Sequence, residues 1–227
     1  MPSTTHTIIL SDIHLGSRTS RAQEATETLK AKNFSRLILL GDVFDDLNFH
    51  RLTKNHWDFL SYMRELSDPA RKVEVVWVAG NHDRMLLDIG HLLGVAMVND
   101  YEWEYDGKRY YAIHGDQFDK FLVRSTPLSR MSTRLYAGIQ RLDKKQRVAR
   151  AIKRTSKKFL RLSKRVARGA IEHGKKRGAD VVLCGHTHLA LKLERDGITY
   201  MNTGSWTDSP ATYITVGADG PVIQAIR

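Results

Sequence analysis

Five short apolar runs, each followed at once by a polar loop, constrain the fold of this chain more than any other feature. They read TIIL, LILL, VVWV, YYAI and VVLC, and each precedes a loop that contains aspartate or histidine. Runs of this kind, rich in Val and Ile, are typical of central strands that are buried on both faces. Helix-like stretches separate several of them, at residues 20–32 and 50–67. The alternation predicts an α/β fold built in layers.

Local signals add detail to this prediction. Two turn dipeptides, Asp106-Gly107 and Asp196-Gly197, each lie between extended runs and predict β-hairpins, so we expect antiparallel strands in the C-terminal half. In the second helix-like stretch the apolar residues are spaced to share one helix face. These residues are Leu52, Trp57, Leu60 and Met63.

Positive charge is concentrated in one segment of the chain. The net charge is +11, yet residues 120–178 hold 20 Lys and Arg against only Asp143 and Glu172, so the remainder is slightly acidic. Apolar residues recur through this segment at three- and four-residue steps, which predicts two amphipathic helices. We interpret residues 118–178 as a basic helical cap inserted into a single domain that spans residues 1–227. Its partner should be anionic: a nucleic acid, a phospholipid surface or a phosphorylated substrate.

The composition favours a cytoplasmic protein. No apolar run is long enough to span a bilayer, and the first residues lack the basic start and apolar core of a secretory signal. The only cysteine, Cys184, excludes an internal disulfide, which fits a reducing compartment. The basic cap leaves open a peripheral contact with the inner face of an anionic membrane.

The loops after the five runs carry side chains that bind divalent metals. Because binding sites in open α/β sheets collect beyond the strand ends, we expect these side chains to converge. Their oxygen and nitrogen donors suffice for two divalent ions, with Asp42 able to bridge both. Mixed carboxylate and imidazole ligands suit Mn²⁺, our first choice, or Fe²⁺, Zn²⁺ and Co²⁺ better than Ca²⁺. The candidates are Asp12, His14, Asp42, Asn81, His114, His186 and His188.

The same loops resemble a known superfamily. The motifs DIH, GDVFD, GNHD, IHGD and GHTH resemble, in this order, the five blocks of the calcineurin-like metallophosphoesterases. The resemblance covers about the whole chain outside the cap, and it implies a β-sandwich of two mixed sheets flanked by helices. It also implies two ligand sets that share one carboxylate. These are Asp12, His14, Asp42 and His188 for one ion, and Asp42, Asn81, His114 and His186 for the other.

This resemblance implies a hydrolytic mechanism. Two close cations would clamp a phosphoryl oxygen and lower the pKa of a bridging water, and the resulting hydroxide would attack phosphorus in line. His82 would stand beside the leaving-group oxygen as a proton donor or charge stabiliser. Asp45 and Asp83 would orient a histidine or the water, with roles as turn or cap residues left open for both. We count Asn81 and Arg84 as candidate substrate contacts, and Arg84 also fits a solvated loop position.

Within the superfamily the chain is most similar to the UDP-2,3-diacylglucosamine hydrolase group of lipid A synthesis. The shared stretches are SDIHLGS, HGDQFD before a helical insert, and GHTH followed by YMNTGSW. The resemblance implies cleavage of a pyrophosphate bond in a nucleotide–lipid, with acyl chains received by the cap. The chain departs from that group at His82, where its members carry arginine, and this favours a more general phosphoesterase.

Two other functions stay open. A nuclease or a cyclic-nucleotide phosphodiesterase would use the basic cap to hold a phosphate backbone. The few aromatic residues of the cap fit its apolar stripe instead of offering rings for base stacking, which counts against nucleic acid. A non-catalytic interaction scaffold on the same fold is the third alternative, although such chains usually lack some ligands and this one lacks none. The oligomeric state is not indicated by the sequence.

Overall fold

The computed structural model describes residues 5–119 and 157–226, which form two mixed β-sheets with helices on their outer faces. The first sheet has the order β11-β10-β1-β2-β3-β4, in which β1 to β4 run parallel and β10 and β11 are antiparallel. Its strands are β1 (Thr5–Leu10), β2 (Arg36–Leu40), β3 (Glu74–Val78), β4 (Ala96–Val98), β10 (Ala211–Gly217) and β11 (Gly220–Ile226).

The second sheet has the order β5-β6-β7-β9-β8, with β6, β7 and β9 parallel and an antiparallel strand at each edge. All five apolar runs of the sequence are therefore strands, and the predicted sandwich of two mixed sheets is confirmed. The strands of this sheet are β5 (Asp100–Tyr105), β6 (Lys108–Ile113), β7 (Val181–Cys184), β8 (Leu191–Arg195) and β9 (Ile198–Asn202).

Strand alternation divides the apolar side chains into layers. In β1, Ile8 and Leu10 pack towards helices on the outer face, while Ile9 between them packs into the interior that the two sheets share. Successive side chains of a strand point to opposite faces, so a run that is apolar throughout supplies both layers. A third apolar cluster lies on the outer face of the second sheet and includes Tyr111 and Val182.

The helices cover these outer faces. The described helices are α1 (Ala22–Lys30), α2 (Lys54–Leu66), α3 (Leu87–Leu93) and α4 (Lys157–Lys176), with 3₁₀ turns at Phe49–Arg51, Pro69–Arg71 and Asp116–Phe118. Helices α1 and α2 pack against each other and on the first sheet, where Leu29, Phe59 and Met63 are fully buried. None of the described helices is both long enough and apolar enough to cross a membrane.

The predicted apolar face of the second helix is wrong at one position. Trp57 is 51% exposed, whereas Phe59 is completely buried. Each three-residue step shifts a side chain by about 60° around a helix axis, so Trp57, six residues before Met63, lies about 120° from it and outside the buried face. Leu60 and Met63 keep their predicted positions in the core.

Both predicted hairpins are present and close with two-residue turns. Tyr105 pairs with Lys108, and Arg195 pairs with Ile198. The turn residues between them all have positive φ, between 51° and 78°. This is the backbone of a type I′ turn, which Asp-Gly sequences favour.

Helix α4 belongs to the basic segment and is packed on the body of the protein. Ala167, Ala170 and Ile171 are buried against the second sheet, while Arg161 and Arg168 on the opposite side are exposed. The part of the predicted cap formed by residues 120–156 lies outside the described residues, so the bounds of the insertion and the single-domain organisation stay predictions.

Candidate metal centre

The candidate ligands converge where the strands of both sheets end. Two groups of three side chains each offer ligand atoms that all lie within 4.8 Å of one another. The loops are joined directly, since Gly185 donates its N–H to the His114 carbonyl and Trp206 donates to that of Asp12. The first group is Asp12, His14 and His188, and the second is Asp42, His114 and His186.

The backbone of these loops is unusual. Non-glycine residues seldom adopt positive φ, and such positions collect at functional sites because the surrounding structure must enforce them. Five of the candidate ligands have φ between 49° and 64°, which turns the chain sharply as each strand ends. They are Asp12, His14, Asp42, His186 and His188.

In the first group three ligand atoms face a common point. Asp12 Oδ1 lies 3.0 Å from His188 Nε2 and 3.9 Å from His14 Nε2. The other oxygen of Asp12, Oδ2, accepts hydrogen bonds from the Ser11 hydroxyl and, at 3.0 Å, from the backbone N–H of His186. These bonds fix the carboxylate so that Oδ1 points to the histidines.

In the second group His114 is held by a strand carbonyl. Its Nδ1 donates to the backbone oxygen of Leu40 at 2.8 Å, and its Nε2 lies 3.3 Å from Asp42 Oδ2. The other oxygen of Asp42, Oδ1, accepts the backbone N–H of His82 at 3.0 Å. Two bonds of this kind, one for each residue, orient a nitrogen and an oxygen towards the same space.

Several buried polar atoms of the site are suited to bind a cation. Asp12 Oδ1, Asn81 Oδ1 and His114 Nε2 are buried and make no well-formed hydrogen bond among the described residues, although the first and the last lie at ion-pair distance from another candidate ligand. Buried polar atoms are nearly always satisfied, so a cluster of unsatisfied ones indicates a ligand that would bind them. Carboxylate oxygens, an amide oxygen and imidazole nitrogens together are the donor set of divalent transition metals.

The electrostatics of the site point the same way. Burial alone would lower the pKa of His114, but Asp42 raises it to about 10. Burial alone would also lower the pKa of His14, but the carboxylates of Asp12 and Asp45 raise it to about 10.

The carboxylates show the complementary shift. Burial opposes the charged form of Asp42, yet His114 holds the pKa of this carboxyl below its usual range. His188 does the same for the pKa of Asp12. The buried carboxylates are therefore stabilised by nearby positive charge. A metal ion that displaced the protons from the imidazoles would supply that charge.

Asp45 contacts two histidines from the rim of the site. Its Oδ1 lies 3.5 Å from His14 Nδ1, and its backbone carbonyl accepts a hydrogen bond from His82 Nδ1 at 2.5 Å. Arg51 holds Oδ2 of the same carboxylate at 2.8 Å. Asp45 thus orients both a candidate ligand and the candidate leaving-group residue.

His82 lies beside the two groups and belongs to neither. Its Nε2 is 4.0 Å from Asp42 Oδ2, and its ring meets that of His14 edge-on with centroids 5.1 Å apart. The side chain is partly exposed, so it stands at the opening of the site, where a substrate oxygen could reach it.

Of the two roles left open for Asp83, its contacts fit that of a turn residue. The residue is fully buried, and its carboxylate accepts hydrogen bonds from the Val43, Phe44 and Gly80 N–H groups and from the Trp77 indole. It therefore orients backbone and not a histidine, by tying the loop after β2 to the loop after β3.

The two candidate substrate contacts, Arg84 and Asn81, lie in different environments. Arg84 binds the Asp116 carboxylate at 2.5 Å, and more than half of its side chain is exposed. Asn81 follows Gly80, whose Cα lies so close to Asp42 that a side chain at residue 80 would collide with the carboxylate.

Sequence reasoning missed the residues that support the ligands. Ser11 and Thr203 share a hydrogen bond beside Asp12, and Asp119 lies 3.3 Å from His186. A side chain at Gly41 would clash with His114 Nδ1, and one at Gly185 would come within 2.6 Å of the Ser11 hydroxyl. The available signal was that a glycine stands directly before Asp42 and before His186.

Comparison with known proteins agrees with this geometry. Residues 6–219 match the model of the calcineurin-like phosphoesterase superfamily domain. The chain therefore belongs to the calcineurin-like phosphoesterase superfamily. With its two clusters of candidate ligands, it is a metal-dependent hydrolase of phosphoester bonds.

Solved structures share the fold at low sequence identity. A novel archaeal phosphodiesterase is 16% identical with a TM-score of 0.51, and the match covers 97% of this chain and 99% of that one. Vacuolar protein sorting 29 from Cryptosporidium parvum is 12% identical with a TM-score of 0.54, over 99% and 93%. The phosphoesterase YfcE from E. coli is 18% identical with a TM-score of 0.50, over 97% and 91%. No curated protein matches the sequence.

Proposed function

We propose that this protein hydrolyses a phosphodiester or pyrophosphate bond with two divalent ions, held by the Asp12 and Asp42 groups of ligands. The observation that carries the proposal is the pair of adjacent ligand groups with His82 at their opening. Two ions held there would polarise a phosphoryl oxygen and make a water molecule nucleophilic at neutral pH. We propose Mn²⁺ as the native metal, with Fe²⁺, Zn²⁺ and Co²⁺ as the other candidates.

The protein's own side chains have distinct tasks in this reaction. His82 stands where it can donate a proton to the departing oxygen or stabilise its charge. The carbonyl of Asp45 accepts a bond from His82 Nδ1, which leaves Nε2 facing the site. Asn81 would contribute its buried amide oxygen to the second ion, and Arg84 is the candidate contact for a phosphate after release from Asp116.

The substrate we propose is a nucleotide–lipid such as UDP-2,3-diacylglucosamine. The loop that carries Asp45 also exposes Leu47, and the loop that carries His82 also exposes Met85. These two side chains are 49% and 82% exposed, so apolar surface borders both loops of the site. An acyl chain would gain about 0.8 kcal/mol per buried CH₂ on such a surface.

A substrate panel with Mn²⁺ tests this proposal. UDP-2,3-diacylglucosamine, a chromogenic monoester, a chromogenic diester and single-stranded DNA are compared by kcat/KM. We expect the nucleotide–lipid to be preferred over the small diester, with release of UMP and a lipid monophosphate. Equal rates on the two would reject the lipid substrate, and no hydrolysis with any divalent ion would reject the enzyme.

A nuclease is the second candidate, and the charge of α4 favours it. Arg161, Lys164, Arg165 and Arg168 are all exposed on one side of this helix. A phosphate backbone bound there would show a steep loss of affinity with salt. The same surface would serve a peripheral contact with an anionic membrane at the cytoplasmic face, which we propose as the location of the protein. Similarity in fold to vacuolar protein sorting 29 raises a scaffold role, and the complete set of ligands argues against it.

A further inference from the structure

The chain places a buried carboxylate against the outer nitrogen of one candidate ligand. Asp119 follows the 3₁₀ turn Asp116–Phe118, and its Oδ2 lies 3.3 Å from His186 Nε2. Asp119 is only 4% exposed, although a carboxylate is among the most expensive groups to bury. It lies outside both groups of ligand atoms, so the geometry calls for a role other than direct metal binding.

The hydrogen-bonding properties of imidazole indicate what this role is. A neutral histidine has one nitrogen that bears a proton and one that offers a lone pair. A carboxylate can only accept, so the nitrogen that faces Asp119 bears the proton and the lone pair is on Nδ1. His114 in the same group is the opposite case, since its Nδ1 donates to Leu40 and its Nε2 is left for the ion.

Building on the function proposed above, we propose that Asp119 is a positioning residue that selects Nδ1 of His186 as the metal-binding atom. Carboxylates in this position fix the ring orientation of metal-bound histidines and raise the basicity of the ligand atom. The two histidines of one ion then bind through different nitrogens, each set by the acceptor behind it. The acceptor is a backbone carbonyl for His114 and a side chain for His186.

Helix α4 holds Asp119 in place through its neighbour. A Cβ at Gly169 would lie 2.6 Å from Cδ1 of Phe118, so the ring of Phe118 occupies the space that the glycine leaves. Phe118 also meets the ring of His173 with centroids 6.1 Å apart. The Asp119 N–H donates to the Asp116 carbonyl at 2.9 Å, which closes the turn. The position of the carboxylate is therefore coupled to the packing of the helix.

Metal titration of full-length variants tests the proposal without any substrate. We expect wild-type protein to bind two Mn²⁺ ions in calorimetry, and Asp119→Ala to lose about 10- to 100-fold in affinity at one of them. Asp119→Asn should lie between the two, because its amide oxygen still accepts from Nε2. Asp180→Asn is the control: it removes a carboxylate that accepts the Arg109 N–H before β7, at the opposite end of this strand from His186, and it should keep both affinities within about threefold of wild type.

NMR spectroscopy can distinguish a change in the protonated nitrogen of His186 from a general loss of structure. In the Zn²⁺-loaded protein with ¹⁵N-labelled histidine, we expect His186 to show a protonated Nε2 and a metal-bound Nδ1. This pattern should be lost in Asp119→Ala and kept in Asp180→Asn. If Asp119→Ala does not fold, Asp119→Leu gives the same comparison, because it removes the acceptor and keeps a side chain of similar shape.

A pair of helix variants tests the coupling to α4. Gly169→Ala should displace Phe118 and weaken the same Mn²⁺ site, whereas Gly174→Ala would press on Val182 in the core and leave both sites intact. Unchanged affinities and an unchanged His186 pattern in Asp119→Ala would overturn the inference while leaving the proposed function standing. A wild-type protein that binds no ion would overturn both.

Discussion

His14 and His188 lie 174 positions apart in the chain, yet their Nε2 atoms are only 3.3 Å apart. Asp12 Oδ1 lies within 4 Å of both nitrogens. The two rings are tilted by 44° with centroids 5.2 Å apart, and a nitrogen of each ring faces the carboxylate oxygen. The three atoms converge on one point, which is the arrangement of ligands around an ion.

Replacement of the proposed bridge should remove metal and activity together. In Asp42→Ala the second group loses its carboxylate, and His82 loses the oxygen that accepts its backbone N–H. We expect at least one of two Mn²⁺ ions to be absent by elemental analysis, with nearly all turnover lost. Asp58→Asn, an exposed carboxylate on α2, is the control and should behave as wild type. Full metal content in Asp42→Ala would refute the ligand assignment.

His82→Ala should separate metal binding from catalysis. The residue lies outside both ligand groups, so two ions should still bind with unchanged affinity. Turnover should fall by about 10²- to 10⁴-fold, the usual contribution of a positioned proton donor. His50→Ala removes an exposed histidine from a neighbouring loop and should keep full activity. If His82→Ala turns over substrate at the wild-type rate, another group must serve the leaving oxygen.

Removal of metal should lower the melting temperature. A ligand that binds only the folded state stabilises it by about 2.7 kcal/mol for each site at 100 times its Kd. For a chain of this size that corresponds to a rise of roughly 5–10 °C for each occupied site. Scanning calorimetry with EDTA and with excess Mn²⁺ measures the difference, and Ca²⁺ should give a smaller shift. Identical melting curves in all three would argue against a built metal site.

The phase of helix α2 can be tested by a pair of truncations. Phe59→Ala should cost about 3–5 kcal/mol in urea unfolding, because the ring is completely buried in the core of the first sheet. Trp57→Ala removes a larger ring from a half-exposed position and should change stability by only about 0.5 kcal/mol or less. A larger loss for Trp57→Ala would place the tryptophan in a contact that the structure does not contain.

The sequence was most informative for the central strands, whose continuous apolar runs show that both faces of the strand are buried. Runs such as LILL must be buried on both sides, so the strands, the layers and the two Asp-Gly hairpins followed from local patterns. The convergence of the loops followed from the rule that parallel strands end at a common edge. Helix α2 was harder, because three-residue steps drift around the helix axis, and the spacing of the apolar residues did not show that Phe59 and not Trp57 lies on the buried face.

The supporting residues of the site could not be read from the sequence. Asp83 and Asp119 are both aspartates that follow a strand-end motif, and nothing local shows that one binds backbone N–H groups and the other a histidine ring. These roles depend on contacts between loops that are 40 and 67 positions apart. Long-range contacts of this kind produce no periodic pattern in the local sequence, whereas the strands that support them can be recognised from such a pattern.

The positive φ values at the ends of these strands orient the candidate ligands, but they lower the stability of the fold. Residues with side chains cost on the order of 1–3 kcal/mol in such conformations, and Gly or Asn would relieve much of that cost. Five of the candidate ligands bear this cost: Asp12, His14, Asp42, His186 and His188. A glycine at any of them would remove the strain together with a ligand atom, so an ion bound at the site would offset the cost of the conformation that binds it.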